Sequence, residues 1–180
     1  MSGNKRANGF LKECMADSLI ALMKKKDFSK ITVNEIAETA GVNRSTWFRN
    51  FDTKLEALTY KIVQLWYRWA DEHGLAEKNR YTTENSYDFF HFCYANRELL
   101  ELMLNAGLQS AIYEAFYEIM MPHFEAGATE RYQSRYLSYG LFGLLGEWIK
   151  RQYRESPDEM VEIYYKIINQ NGKTGSEGKP

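Results

Sequence analysis

Six consecutive positions hold two guanidinium groups, two hydroxyls and an exposed-type aromatic ring: Arg44, Ser45, Thr46, Phe48 and Arg49, with Trp47 among them. A guanidinium is a planar fork of N–H donors that matches the O6 and N7 acceptors of guanine, and hydroxyls reach base edges or phosphate oxygens. Lys54 follows at the start of another helix pattern, where a positive charge opposes the helix macrodipole. Folding alone does not favour that placement. Exposed helix N–H groups beside an ammonium do, however, make a phosphate site. These residue types hold a polyanion and do not make or break bonds.

Bond-making chemistry finds little support elsewhere. The three histidines, 73, 91 and 123, are far apart, and there is no H-E-x-x-H element, nucleophile elbow, phosphate-cradling glycine loop or conspicuous carboxylate pair. Cys14 and Cys93 lack metal-ligand spacing and read as reduced core thiols. No catalytic residue, metal or cofactor is expected.

The donors need elements to aim them. Thr32 and Glu35 have capping-box spacing, and Val33, Ile36, Ala37 and Ala40 then fall on one helical face. Gly41 suits a left-handed helix end, and Val42 fills the corner. Asn43 is the next N-cap, opening a helix over residues 44–50 that is about 10 Å long and fits a major groove. Trp47 is placed to face a small three-helix core. Thr53 and Glu56 make a second capping box and start a long helix. Ahead of these, Leu11, Met15, Leu19 and Leu22 give a first helix over residues 9–26 one apolar stripe, preceded by a polar arm. Its lysine run 24–26 reads as a solvated helix end, with phosphate contact as the alternative. Phe28 is expected in the three-helix core.

The run I-T-V-x-x-I-A-x-x-A-G-V-N-R-S-T-W-F-R-N-F-D-T-K resembles the DNA-binding domain of the TetR/AcrR family of bacterial transcriptional regulators, over residues 9–56. The family usually has Ser or Thr at Asn43, Tyr at Phe48, and His or Tyr at Asn50. Phe48 has no hydroxyl, so its ring suits a sugar or a thymine methyl. The resemblance implies an all-α fold with an N-terminal three-helix helix-turn-helix domain and a C-terminal helical ligand-binding and dimerisation domain. It further implies Arg44, Ser45 and Arg49 near base edges, Asn34 reaching the same groove, and Thr32, Thr46 and Lys54 on phosphates. Double-stranded DNA and a second copy of the chain are the expected partners.

After residue 53 only helical patterns occur, giving domains over 1–52 and 53–170 and a tail over 171–180 that is disordered by composition. Aromatic residues make up 15% of the chain and most lie in this part, and the resemblance implies a small-molecule pocket there, mostly apolar with a few polar groups. Its candidates are Trp66, Phe90, His91, Tyr94, Tyr113, Tyr117 and Tyr139, with Cys93, Asn105, Gln109, His123 and Glu147 as further polar groups. The alternative is an ordinary core, since aromatic stripes at helical spacing serve either purpose. Gly140, Gly143 and Gly146 recur every three residues, which admits a close helix neighbour. With Ile163 and Ile167 they form the expected dimer interface, packing within the protomer being the alternative.

Charge divides along the same line. Residues 1–54 carry ten Lys and Arg against six Asp and Glu, a net of +4, and the remainder carries thirteen against eighteen, a net of −5. No apolar run is long enough to cross a membrane, and the first ten residues are not signal-like, so a cytoplasmic protein is expected. The reading is a sequence-specific DNA-binding regulator, a repressor released by an apolar or aromatic small molecule. The alternative is a helical protein-interaction adaptor, or a regulator without such a ligand. The adaptor alternative predicts no salt-dependent binding to duplex DNA.

Overall fold

Apolar stripes with a helical period must find facing surfaces, and among the described residues they do so as nine α-helices without a strand. The computed structural model describes residues 2–75, 83–121 and 127–173. In chain order the helices are α1 (Ser2–Met23), α2 (Val33–Thr39), α3 (Arg44–Phe48), α4 (Lys54–Glu72) and α5 (Ser86–Ala95). They continue as α6 (Arg97–Asn105), α7 (Gln109–Met120), α8 (Ala128–Lys150) and α9 (Pro157–Lys173).

The helix ends follow the chemistry of their terminal residues. Thr32 accepts from the Glu35 N–H at 3.3 Å while the Glu35 carboxylate accepts from the Thr32 N–H at 2.9 Å, a complete capping box. Gly41, with φ +67°, closes α2: its N–H reaches the Glu38 carbonyl at 3.1 Å and the Val42 N–H reaches Ala37 at 2.9 Å. That pair of bonds is the Schellman arrangement, which satisfies carbonyls the helix leaves behind. Gly107, with φ +74°, ends α6 in the same way. At α9, Ser156 and Glu159 exchange the two capping-box bonds, with Pro157 at the first helical position.

Several boundaries differ from the pattern. α1 starts at Ser2 and not near residue 9, because once the packed stripe has nucleated a helix each further residue adds a backbone bond. α3 stops at Phe48, since the Asn50 side chain takes the Thr46 carbonyl at 2.7 Å. α8 stops at Lys150 because Gln152 and Tyr153 turn left-handed, at φ 57° and 52°. Asn96 stands at the N-cap position of α6 without a side-chain cap bond; its amide donates to the Phe92 carbonyl at 2.9 Å and closes α5. At α4 the second capping box is split, the Glu56 carboxylate accepting from Asp52 and not from Thr53. α9 runs to Lys173, three residues into the expected tail. Residues 174–180, and the expectation placed on His123, lie outside the described residues.

α4 joins the two halves, packing on both α1 and α7; α7 packs on α8 and α5 on α9. The buried side chains form one continuous core from Met15, Leu19, Trp47 and Phe51 to Trp66, Phe116 and Trp148. Ion pairs tie α4 to α1: Lys61 to Asp17 at 2.7 Å and to Glu13 at 3.8 Å, and Arg68 to Glu13 at 2.8 Å. Both cysteines are free, Cys93 buried and Cys14 partly so.

Candidate nucleic-acid interface

Trp47 fixes how α3 is presented. It is 1% exposed and lies 5.2 Å from the Phe51 ring, so the remaining positions of this short helix are sorted around a filled core. Arg44, Ser45, Phe48 and Arg49 face solvent, as do Asn34 on α2 and Thr32 at its N-cap. Arg44 stacks on the Phe48 ring, its guanidinium carbon 5.1 Å from the centroid. A row of two guanidinium groups and a serine hydroxyl, held on a buried indole, can read base edges and neutralise phosphates.

Three expected contacts are placed differently. Thr46 is only 7% exposed, because it shares the inward face with Trp47, and its hydroxyl accepts from the Arg49 guanidinium at 3.1 Å. It holds an arginine and does not present itself to a phosphate. The Thr32 hydroxyl is engaged in the capping box, donating to the Glu35 carboxylate at 2.8 Å.

Lys54 departs furthest. Its ammonium donates to the carbonyls of Phe28 and Ile31, both at 2.7 Å, and lies 4.3 Å from the centroid of the Phe28 ring. The fold therefore does favour this lysine: it staples the connection between α1 and α2 onto the start of α4. Phe28 is accordingly half-buried beneath that ammonium and not sunk in the core. Burial lowers the Lys54 pKa, and the nearby Glu35 carboxylate opposes the shift. Glu35 in turn pairs with Lys26, and that ammonium, with the Thr32 backbone and hydroxyl, holds the Glu35 carboxyl at about 2. Of the lysine run, Lys24 and Lys25 are exposed, while Lys26 is part of the scaffold. The roles of Lys26, Thr46 and Lys54 as internal braces gave no signal in the sequence, because each depends on a partner set by the fold.

In the C-terminal half, the seven pocket candidates fall in several different packing environments. Trp66 and Phe90 are core side chains: Trp66 packs edge-on to Phe92 at 5.4 Å, and Phe90 lies near Tyr164 at 5.9 Å. His91 pairs with Asp158 at 3.0 Å and Tyr94 stacks on Trp148, both at the rim. Tyr113 stacks on Tyr139 at 4.8 Å, and Tyr117 lies under the Arg135 guanidinium, along the seam of α7 and α8. The aromatic stripes are core and seam, because α5, α7 and α8 turn them towards different neighbours. Among the further polar groups, Cys93 is buried in the core, while Asn105, Gln109 and Glu147 are exposed.

Among the described residues, clefts lie at the end of α1 against α6, where Asn105 is in the lining, and between α4 and α7. The larger, about 570 Å³, runs between Met23, Lys26 and Phe28 on one side and Leu102, Asn105 and Ala106 on the other. The smaller, about 300 Å³, lies between α4 and α7. Of the dimer candidates, Gly140 and Gly143 are exposed, and a Cβ added at either, or at Gly146, meets nothing within 4 Å. No part of the described protomer uses the space these glycines leave. Ile163 is half-buried and Ile167 is 39% exposed. Among the described residues no helix is long and apolar enough to cross a membrane, and no cluster of metal-ligating side chains occurs.

Comparison with known proteins gives two matches that together span most of the chain. Residues 17–58 match the family described as bacterial regulatory proteins, tetR family, and residues 82–170 match the transcriptional regulator C-terminal region. No curated protein matches. Among solved structures, the chain is similar to the fatty acid degradation regulator FadR from Bacillus halodurans, with 16% identity, 87% of this chain and 93% of that one covered, and a TM-score of 0.46. It is also similar to the TetR family repressor AlkX from Dietzia sp. strain DQ12-45-1b, with 17% identity, coverage of 94% and 99%, and a TM-score of 0.47.

Proposed function

The chain belongs to the TetR family of bacterial transcriptional regulators, and on that premise we propose that it is a homodimeric repressor whose base reading rests on Arg44, Ser45 and Arg49. It is a DNA-binding transcriptional regulator, and α3 is its recognition helix. The observation that supports the residue assignment most is the row of exposed donors backed by Trp47, with each arginine held by a neighbour one turn away or less. Asn34, exposed on α2, reaches the same groove. Selecting bound duplexes from a random library tests this reading: enrichment of a site with two related half-sites supports it, and no enrichment over input contradicts it.

The second copy docks on the outer face of α8, where Tyr132 and Tyr136 are 79% and 72% exposed on the same helix face as Gly140 and Gly143, and on the exposed Ile167 of α9. Large exposed rings next to glycines that nothing among the described residues approaches suit a helix packed closely from outside. Gly143→Arg is expected to leave the melting temperature of the protomer unchanged or raised, since glycine disfavours helix interiors. It should raise the dimer dissociation constant at least roughly tenfold, a change of about 1.4 kcal/mol. Sedimentation at micromolar protein checks this; a dimer as tight as the parent would remove this face from the interface.

Release by a small molecule is typical of the family, and in this chain it acts through α4. The Lys61 and Arg68 ion pairs bind α4 to α1, and Lys54 binds it to the helix-turn-helix, so α4 cannot swing without carrying the DNA-binding domain. A ligand that prefers one setting of α4 changes the separation of the two recognition helices and lowers operator affinity by its differential affinity for the two states.

A further inference from the structure

We propose that Phe48 is a positioning residue for Arg44, its ring setting the guanidinium for base reading; this rests on the assignment of Arg44 to a base edge. Two features of the fold are otherwise unexplained. Arg44 occupies the first position of α3, where a cation meets the positive end of the helix dipole. Phe48 leaves a large apolar ring 53% exposed although Trp47 and Phe51 already fill the core beneath it. Each accounts for the other. Residues four apart lie one above the other on a helix, and the Arg44 guanidinium sits 5.1 Å from the Phe48 centroid, within reach of the negative face of the ring.

The consequence is conformational. An arginine has several rotatable bonds, and a side chain free to sample them loses that freedom when it docks on a base. A ring that holds the guanidinium plane in advance removes part of the cost and biases the fork towards one orientation. Its effect falls on the base pair that Arg44 reads and not on overall attraction to DNA. A hydroxyl plays no part, so Phe serves this purpose as well as Tyr. Protein bound to DNA also excludes water from the stack, which strengthens the attraction between cation and ring.

The test uses the full-length protein and duplexes selected by it from a random library. Base preference is measured position by position for the parent, Phe48→Leu, Phe48→Tyr, Arg44→Ala and the double variant Arg44→Ala/Phe48→Leu. Arg44→Ala should abolish preference at one base pair. Phe48→Leu should weaken preference at that same base pair by about two- to fivefold, with melting temperature and affinity for random duplex unchanged. Phe48→Tyr should keep the parent's preference, and Phe48→Leu should add nothing in the Arg44→Ala background. Undiminished preference in Phe48→Leu overturns the inference. So does a loss at a different base pair, or one that persists in the double variant, since the ring would then touch DNA itself. If Arg44→Ala leaves every preference intact, the base-reading assignment fails, and that failure is visible without the Phe48 variants.

Discussion

Lys54→Met is expected to destabilise the protein by about 2–3 kcal/mol, lowering its melting temperature by roughly 4–12 °C. The ammonium makes two short bonds to main-chain carbonyls that lie 26 and 23 residues earlier. A hydrogen bond to a charged group contributes about 1.5–3 kcal/mol, and the lower end applies here because the site is half exposed and water can replace part of what is lost. Methionine keeps the stem over the Phe28 ring and removes only the donors, so the loss reports the bonds themselves. The same geometry predicts what does not change. With two N–H groups directed inward, Lys54 is not counted among the phosphate contacts, and the slope of log affinity against log salt for duplex DNA should match the parent's at a temperature where both are folded. An unchanged melting temperature with a slope shallower by about one would return Lys54 to the phosphate backbone.

Arg44→Ala is expected to have the largest effect on recognition. A bidentate contact between a guanidinium and guanine contributes about 1–3 kcal/mol of discrimination per half-site, so the ratio of selected-site to random-duplex affinity should fall by that amount at each half-site. Affinity for random duplex should fall much less, because non-specific binding depends on total charge at the phosphates. Arg44 is exposed and makes no core contact, so the variant should melt with the parent. Competition titrations with selected and scrambled duplexes separate the two quantities. Equal losses on both would place Arg44 on the phosphates.

These two residues mark the boundary of what the sequence reveals. The capping box at Thr32 and the left-handed closure at Gly41 are legible because each involves residues a few positions apart. The inward face of Trp47 is legible from periodicity. Lys54 is not, because its acceptors are remote in sequence; its placement against the helix dipole reads as a phosphate site, and the fold instead uses the charge as a staple. Thr46 misleads for a related reason: a hydroxyl between two arginines suggests polar contact with a partner, but helical geometry turns it inward onto Arg49. In the C-terminal half the abundance of aromatic rings is plain, whereas which rings meet depends on how α5, α7 and α8 turn against their neighbours. The glycines of α8 are legible as small residues, but their open surroundings emerge only when the protomer is assembled.

The central claim is that this chain binds duplex DNA in a sequence-dependent way through α3. The most direct measurement is the affinity of the purified protein for a selected duplex and for a random one, titrated from 50 to 200 mM salt. Affinity should fall steeply for both, with a log–log slope of about −4 or steeper, and the selected duplex should be preferred by at least roughly 10³. Equal affinity for the two duplexes, or binding indifferent to salt, would contradict that claim.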